Sequence, residues 1–305
     1  MDTMAEINKY QGYIGLVGKP NVGKSSLINA ILGKKVVIVN DKPQTTRENI
    51  KVIFENNDFQ VLFIDTPGHH NPQNELDKHL NKMSESILKK VDLVYFLIDS
   101  SRPIDNEDIE LLNFLKEYKK ENIIVVITKI DLNNDVDSTI KNIKNTVIKY
   151  ISPKAIIPIS SLKKENIDLL LSETKKYLLF EPSNKFKIES TWDNDNFLIK
   201  EIIREKCLNL LDHEIPYGIA VHIDNLNYDE LKNLFTITAT LVVEKESQKS
   251  IVIGKGGNMI KQIGIDSRMD LSKVYDSKIM LKLFVKVEKN WRNNPFKLKL
   301  YGYSN

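Results

Sequence analysis

The sequence predicts an α/β domain, a mostly parallel sheet with helices on both faces, followed by a smaller α+β domain. Three observations carry this prediction. Residues Gly18-Lys19-Pro20-Asn21-Val22-Gly23-Lys24-Ser25 satisfy the spacing G-x-x-x-x-G-K-[ST] between an apolar run and a helical pattern, which places a phosphate-binding P-loop after a first strand. Apolar runs alternate with helical patterns from residue 13 to residue 179. At Glu181-Pro182 the alternation stops, and helices and strands then follow without that rhythm.

Taken in order, the first strand is 13–17, and the helix after the loop is 25–32, with Ser26 behind the loop and Leu27, Ile28, Ile31 and Leu32 at helical spacing. Strands at 51–54 and 60–64 follow, then a helix at 75–90, a strand at 92–98, a helix at 106–119, a strand at 123–128, a helix at 137–150, a strand at 155–159 and a helix at 166–179. The strands are nearly continuous in Val, Ile and Leu, as a sheet covered on both faces requires. The loop at 18–25 then lies beyond the carboxyl end of a strand, where ligands bind in such folds. Residues 1–182 are assigned to this domain, 183–196 to a linker and 197–305 to the second domain. In the latter the patterns give a helix at 197–211, strands at 217–224 and 234–243, a strand running into a glycine loop at 250–257, a helix at 258–276 and a strand at 278–287.

At 305 residues with 41% hydrophobic and 28% charged, the composition predicts a soluble globular protein of two domains, and neither a membrane-spanning stretch nor a secretory leader is expected. Cys207 is the single cysteine, which excludes an internal disulfide and suits a reducing cytosol; its position on an apolar helix face makes it a core residue. The net charge of +3 hides an asymmetry: residues 249–299 carry +8 and the remainder −5. Such a local excess suits a polyanion, although a solvated charged surface gives the same count.

A glycine loop at a helix N-terminus offers backbone N–H groups and the positive end of the helix dipole to a phosphate chain. Lys24 would reach the β- and γ-phosphates and the Ser25 hydroxyl would bind Mg²⁺. Asp65-Thr66-Pro67-Gly68 follows the strand at 60–64; Asp65 can hold Mg²⁺ directly or through water, and the Gly68 amide can approach the γ-phosphate. Thr128-Lys129-Ile130-Asp131 resembles the guanine-selecting N-K-x-D of GTPases. One Asp131 carboxylate accepts both adjacent N–H donors of guanine, an edge adenine lacks, so GTP and GDP are the expected ligands. Thr128 departs from the usual Asn, and a hydroxyl replaces only part of an amide's hydrogen bonding, which predicts weaker base affinity. Ser160-Ser161-Leu162 matches a loop that supplies backbone N–H groups to the base.

In this order the motifs make the first domain resemble a translation-factor-class GTPase. Lys42-Pro43-Gln44-Thr45-Thr46-Arg47 looks like the first switch of the Era GTPases, with Thr46 as the Mg²⁺-binding threonine and Thr45 as its competitor. Ile251-Val252-Ile253-Gly254-Lys255-Gly256-Gly257-Asn258-Met259-Ile260-Lys261-Gln262-Ile263-Gly264 resembles the core of a KH domain. There the GxxG turn lets the backbone approach nucleotides, and Ile253, Gly254, Lys255, Gly256, Gly257 and Lys261 would contact RNA. The stretches 204–211, 214–217 and 285–292 also look like Era, so the resemblance runs from about Gly12 to Arg292. It implies an α/β P-loop GTPase domain followed by an α+β KH domain, acting as a cytoplasmic, monomeric GTP hydrolase. The implied RNA partner is the 3′ end of small-subunit ribosomal RNA, within the 30S subunit during its maturation. Some members of the family are found at the inner face of the membrane. A rival reading is a GTP-operated membrane or cell-division scaffold whose basic C-terminal domain meets anionic lipid.

Two residues extend the expected catalytic set of Lys24, Thr46 and Gly68. Asn21 stands where related GTPases use a bound K⁺ in place of an arginine finger; plain support of the P-loop is the alternative. His69 follows Gly68 where Era proteins usually have an apolar residue. A neutral imidazole there could orient the attacking water, or His69 could fill the apolar slot or point to solvent.

Overall fold

The computed structural model describes residues 8–33, 50–66, 74–117, 121–133, 135–182 and 194–303, the side chains at 79, 81 and 83–85 excepted. The chain divides into two units, Met1–Pro72 with Leu80–Thr191, and Gln73–His79 with Trp192–Asn305. In chain order the first region carries β1 (Asn8–Val17), α1 (Lys24–Leu32), β2 (Ile50–Glu55), β3 (Phe59–Asp65), α2 (Glu75–Leu88), β4 (Leu93–Asp99), α3 (Asn106–Glu117), β5 (Ile123–Thr128), α4 (Val136–Val147), β6 (Ala155–Pro158), α5 (Ile167–Thr174) and β7 (Leu179–Pro182).

The sheet order is β2-β3-β1-β4-β5-β6. The pairs β1·β3, β1·β4, β4·β5 and β5·β6 are parallel, and β2 is antiparallel to β3. Both faces are covered, and β4 shows how. Val94, Phe96 and Ile98 join one core cluster with Leu111 and Leu115 of α3 and Ile143 and Val147 of α4. Tyr95 points the other way and its hydroxyl lies 2.5 Å from the Thr174 Oγ1 of α5, so α5 packs on the opposite face. Parallel pairing turns all these carboxyl ends to one edge: β1 ends at the glycine loop, β3 at Asp65, β4 at Asp99 and β5 at Thr128.

The helix expected at 166–179 stops earlier. α5 closes at Thr174, and after a 3-10 turn β7 pairs antiparallel with Asn8–Gln11, Asn8 opposite Pro182. The Gln11 side chain donates to Glu181 O at 2.9 Å and the Tyr10 and Phe180 rings meet at 4.9 Å. A four-residue edge strand has no period of its own; its partner, 170 residues away, creates it.

The second region carries α6 (Asp195–Leu210), β8 (Ala220–Asp229), β9 (Leu234–Val243), α7 (Glu246–Ile253), α8 (Asn258–Tyr275), β10 (Lys278–Val287) and α9 (Pro295–Leu300). β8 and β9 are antiparallel with a bulge between Ile223 and Asn225, and β10 lies parallel to β9. A parallel neighbour demands a crossover, which α7 and α8 supply. Cys207 is fully buried, as expected, among Ile203, Leu211 and Ile237. Trp291 is a packing residue: it is buried, donates from Nε1 to Gly218 O at 3.1 Å and stacks on Tyr303.

The strand expected at 250–257 is instead the last turn of α7 followed by a glycine turn. Gln248 Oε1 accepts the backbone N–H groups of Glu244 and Lys245 and fixes the helix start. Gly254, at φ 74° and ψ 170°, ends it with its N–H on Ser250 O. The β-branched run Ile251-Val252-Ile253 reads as a strand, yet the buried residues of α7 are Gln248 and Val252, four apart, the spacing of one helical face.

Candidate functional site

The glycine loop wraps the start of α1. Asn21 takes φ 61° and Gly23 φ 103°, and a Cβ on Gly18 would stand 2.9 Å from Leu97 O. Lys24 is buried over this loop, donating from Nζ to Gly18 O at 3.0 Å and to Lys19 O at 2.9 Å. Burial pushes its ammonium down to about 8, against the pull of the nearby Asp65 carboxylate. Ser25 Oγ donates to Asp65 Oδ2 at 2.5 Å, bringing a hydroxyl and a buried carboxylate together across α1 and β3. Hard oxygen donors of this kind suit Mg²⁺. Thr66 turns inward, its hydroxyl donating to Leu16 O at 2.6 Å, so it braces β3 against β1. Lys19 is held by Asp105 and Glu107 at 2.5 and 2.8 Å. Thr46, Pro67, Gly68 and His69 lie outside the described residues.

The residues expected to recognise the base gather at the ends of β5 and β6. Thr128 Oγ1 donates to Val22 O at 2.6 Å, with Ile98 O at 3.2 Å, and so ties the P-loop to β5. Lys129, at φ 58°, turns back to pair with Asp99 at 2.7 Å. Asp131 Oδ1 accepts from Ser160 Oγ at 2.5 Å, which fixes the carboxylate's orientation. The backbone N–H of Ser160 is bonded to Glu165 O and that of Glu165 to Ser160 O, closing a tight loop through Ser161 and the exposed Leu162. The Ser160 hydroxyl thus holds Asp131, while its own backbone N–H is taken up by Glu165 O. Asp99 was missed in the sequence; an aspartate ending a strand next to another motif strand was the available signal.

In the second unit Gly254, Gly256 (φ 61°) and Gly257 (φ 80°) all occupy positive φ, and a Cβ on Gly254 would stand 2.7 Å from Met259 Cβ. Gly256 has open space around it and Lys255 and Lys261 are exposed. Behind the turn, Ile260, Lys261, Gly264 and Arg268 of α8 and Leu281 and Leu283 of β10 line a groove of about 240 Å³. An apolar floor with cationic walls beside a bare glycine backbone suits nucleotides. Ile253 is half-buried at the end of α7. Arg268 could have been found at helical spacing from Ile260 and Gly264; Leu281 and Leu283 enter only because α8 packs on β10.

A model of the 50S ribosome-binding GTPase family matches residues 13–129, and a KH-domain model matches residues 214–292. GTPase Era of Ureaplasma parvum is 43% identical over 297 residues, 97% of this chain and 98% of the relative. The chain belongs to the Era GTPase family. Two solved Era structures, each 34% identical, align over 97% of this chain and all of theirs. One is a variant of Aquifex aeolicus Era bound to GDP·AlF4⁻, TM-score 0.86, and the other is Era with MgGDPNP and nucleotides 1506–1542 of 16S ribosomal RNA, TM-score 0.87. The architecture of an Era GTPase, a P-loop GTPase domain with a C-terminal KH domain, is thus the architecture of this chain.

Proposed function

We propose that this Era-family GTPase binds GTP and GDP, hydrolyses GTP with Mg²⁺, and binds the 3′ end of small-subunit ribosomal RNA during small-subunit maturation in the cytoplasm. The observation that carries the reading is the meeting of Lys24, Ser25 and Asp65 on one sheet edge with Asp131, in a chain that also holds a left-handed GxxG turn beside a basic groove. The solved relative with MgGDPNP and 16S ribosomal RNA supports both halves.

Phosphoryl transfer asks the protein mainly for positioning and charge stabilisation. When bound, Mg²⁺ neutralises phosphate charge, and Ser25, Asp65 and Thr46 are the residues that would hold it. The backbone amides of the P-loop take the phosphate oxygens, Lys24 adds a positive charge beside them, and the Gly68 amide would approach the γ-phosphate. His69 would orient the attacking water, and Asn21 is the residue that would hold a K⁺, whose charge would substitute for an arginine finger. Asp131, steadied by Ser160, accepts the two guanine N–H groups. A monomer with peripheral contact to the inner face of the membrane completes the reading; no helix among the described residues is long and apolar enough to cross one.

Phosphate release from GTP and ATP, with Mg²⁺ or EDTA and in KCl or NaCl, tests the enzyme. Release from GTP alone, abolished by EDTA, is expected; equal turnover of ATP would remove the guanine assignment, and identical rates in the two salts would remove K⁺. His69→Ala should slow hydrolysis about ten-fold, roughly 1.4 kcal/mol on the barrier, with GTP affinity intact. Binding of a 3′-end RNA oligonucleotide, compared with anionic vesicles, tests the partner, and a preference for vesicles would favour the lipid-binding scaffold.

A further inference from the structure

The three-stranded sheet of the second unit buries one face. Phe235, Ile237 and Ala239 of β9 and Leu281, Leu283 and Val285 of β10 point into the core under the helices. Residues one step along each strand therefore form the outer face. On β10 these are Lys278, Met280, Lys282, Phe284 and Lys286, all exposed, with Phe284 at 55% and Met280 at 44%. Beside them the register sets Thr236 against Met280, Thr238 against Lys282 and Thr240 against Phe284.

Lysines alternate with apolar side chains along this strand, and the lysines are not all neutralised. Lys286 pairs with Glu288 at 2.9 Å, whereas Lys278 and Lys282 make no ion pair among the described residues. Two acidic groups border this surface: Asp224 accepts from Thr240 Oγ1 at 2.7 Å, next to Phe284 in the register, and Asp229, toward the other end of β8, pairs with Lys232 at 3.0 Å. The surface thus offers a polyanion two open cations, about 13 Å apart along an extended strand. Between and beyond them it offers an aromatic ring and a row of hydroxyls.

We propose that this outer sheet face is a second RNA-contacting surface, on which a single strand stacks a base on Phe284 and lays phosphates on Lys278 and Lys282. Bare aromatic rings on a sheet bind bases without sequence preference, lysines bind the backbone, and threonine hydroxyls suit the 2′-OH. The face adjoins the groove, because β10 is the edge strand and its inward Leu281 and Leu283 form the groove wall. A strand leaving the groove can therefore continue round that edge. The proposal rests on the groove reading above.

The test measures affinities of the full chain for two RNAs. One is about five nucleotides long and fills the groove only; the other is about fifteen and reaches the sheet face. Phe284→Ala and the pair Lys278→Ala/Lys282→Ala should each weaken the long RNA about five- to ten-fold and leave the short RNA unchanged. The lysine pair should also flatten the salt dependence for the long RNA, by about 0.7 in slope for each phosphate no longer neutralised. These side chains are exposed, and unchanged unfolding midpoints and GTP hydrolysis will show that the variants fold. Long-RNA affinity equal to the parent's would overturn the proposal even while Lys255→Asp/Gly256→Asp abolishes short-RNA binding and so upholds the groove. A parent that binds neither RNA would overturn both readings. Loss of binding to anionic vesicles, with RNA affinity unaltered, would reassign the face to lipid.

Discussion

Thr128 gives its one hydroxyl proton to a carbonyl, Val22 O at the shorter distance, and so its side chain presents no donor to a purine. In the proposed function, base recognition then falls to Asp131. Thr128→Asn should tighten GDP binding several-fold by adding an amide, whereas Thr128→Val leaves a buried carbonyl short of a partner. The latter should lower stability by about 1–3 kcal/mol and weaken GDP, read by urea unfolding and calorimetry. Beside it, burial pushes the Asp99 carboxyl up, but hydrogen bonds from Lys129 and Ser101 outweigh burial and hold it below the usual range. Its stabilising contribution is therefore full above the ordinary aspartate pKa of about 3.9 and is lost as pH falls through the lower folded value. Asp99→Asn should destabilise the protein at pH 7, and the gap to the parent should close below about pH 4. The places of Lys24 and Ser25 after the first strand and of Asp131 after β5 were legible because each motif is local; the tie from Thr128 to a residue 106 positions away was not.

Among the elements, α7 and β7 are where pattern misled. Three β-branched or apolar residues in a row fit either period, and what decided for helix was the fastening of Gln248 at one end and the positive φ of Gly254 at the other. Gly254 is thus the most constrained point of the GxxG turn. Gly254→Ala meets both a left-handed φ and a Cβ 2.8 Å from Met259 N. It should lower the stability of the second unit by roughly 1–3 kcal/mol in denaturant unfolding. RNA affinity should fall with it. A substitution at Gly256 carries the strain of φ 61° but meets no neighbouring atom, so its stability cost should be the smaller of the two.

Across the whole molecule, charge is divided between an acidic remainder and the +8 stretch at 249–299. RNA binding should accordingly weaken steeply with salt, since phosphate contacts release counterions. Lys255→Asp/Gly256→Asp, which places carboxylates where phosphates would pass in the proposed groove, should abolish RNA binding while GTP hydrolysis without RNA stays at the parent rate; a matching loss of hydrolysis would mean that the two sites are not separable. By itself the sequence determined the alternation of strands and helices, the P-loop and the place of Asp131 just past β5, because hydrophobic period and motif spacing act over a few residues. It also held the glycine turn, though in the wrong frame of secondary structure. Only the tertiary structure decided that 250–253 is helical, that residues 179–182 form a strand, that Ser160 steadies Asp131 and that β10 presents lysines and Phe284 outward. Each of these depends on partners distant in sequence, and packing against them overrides local preference.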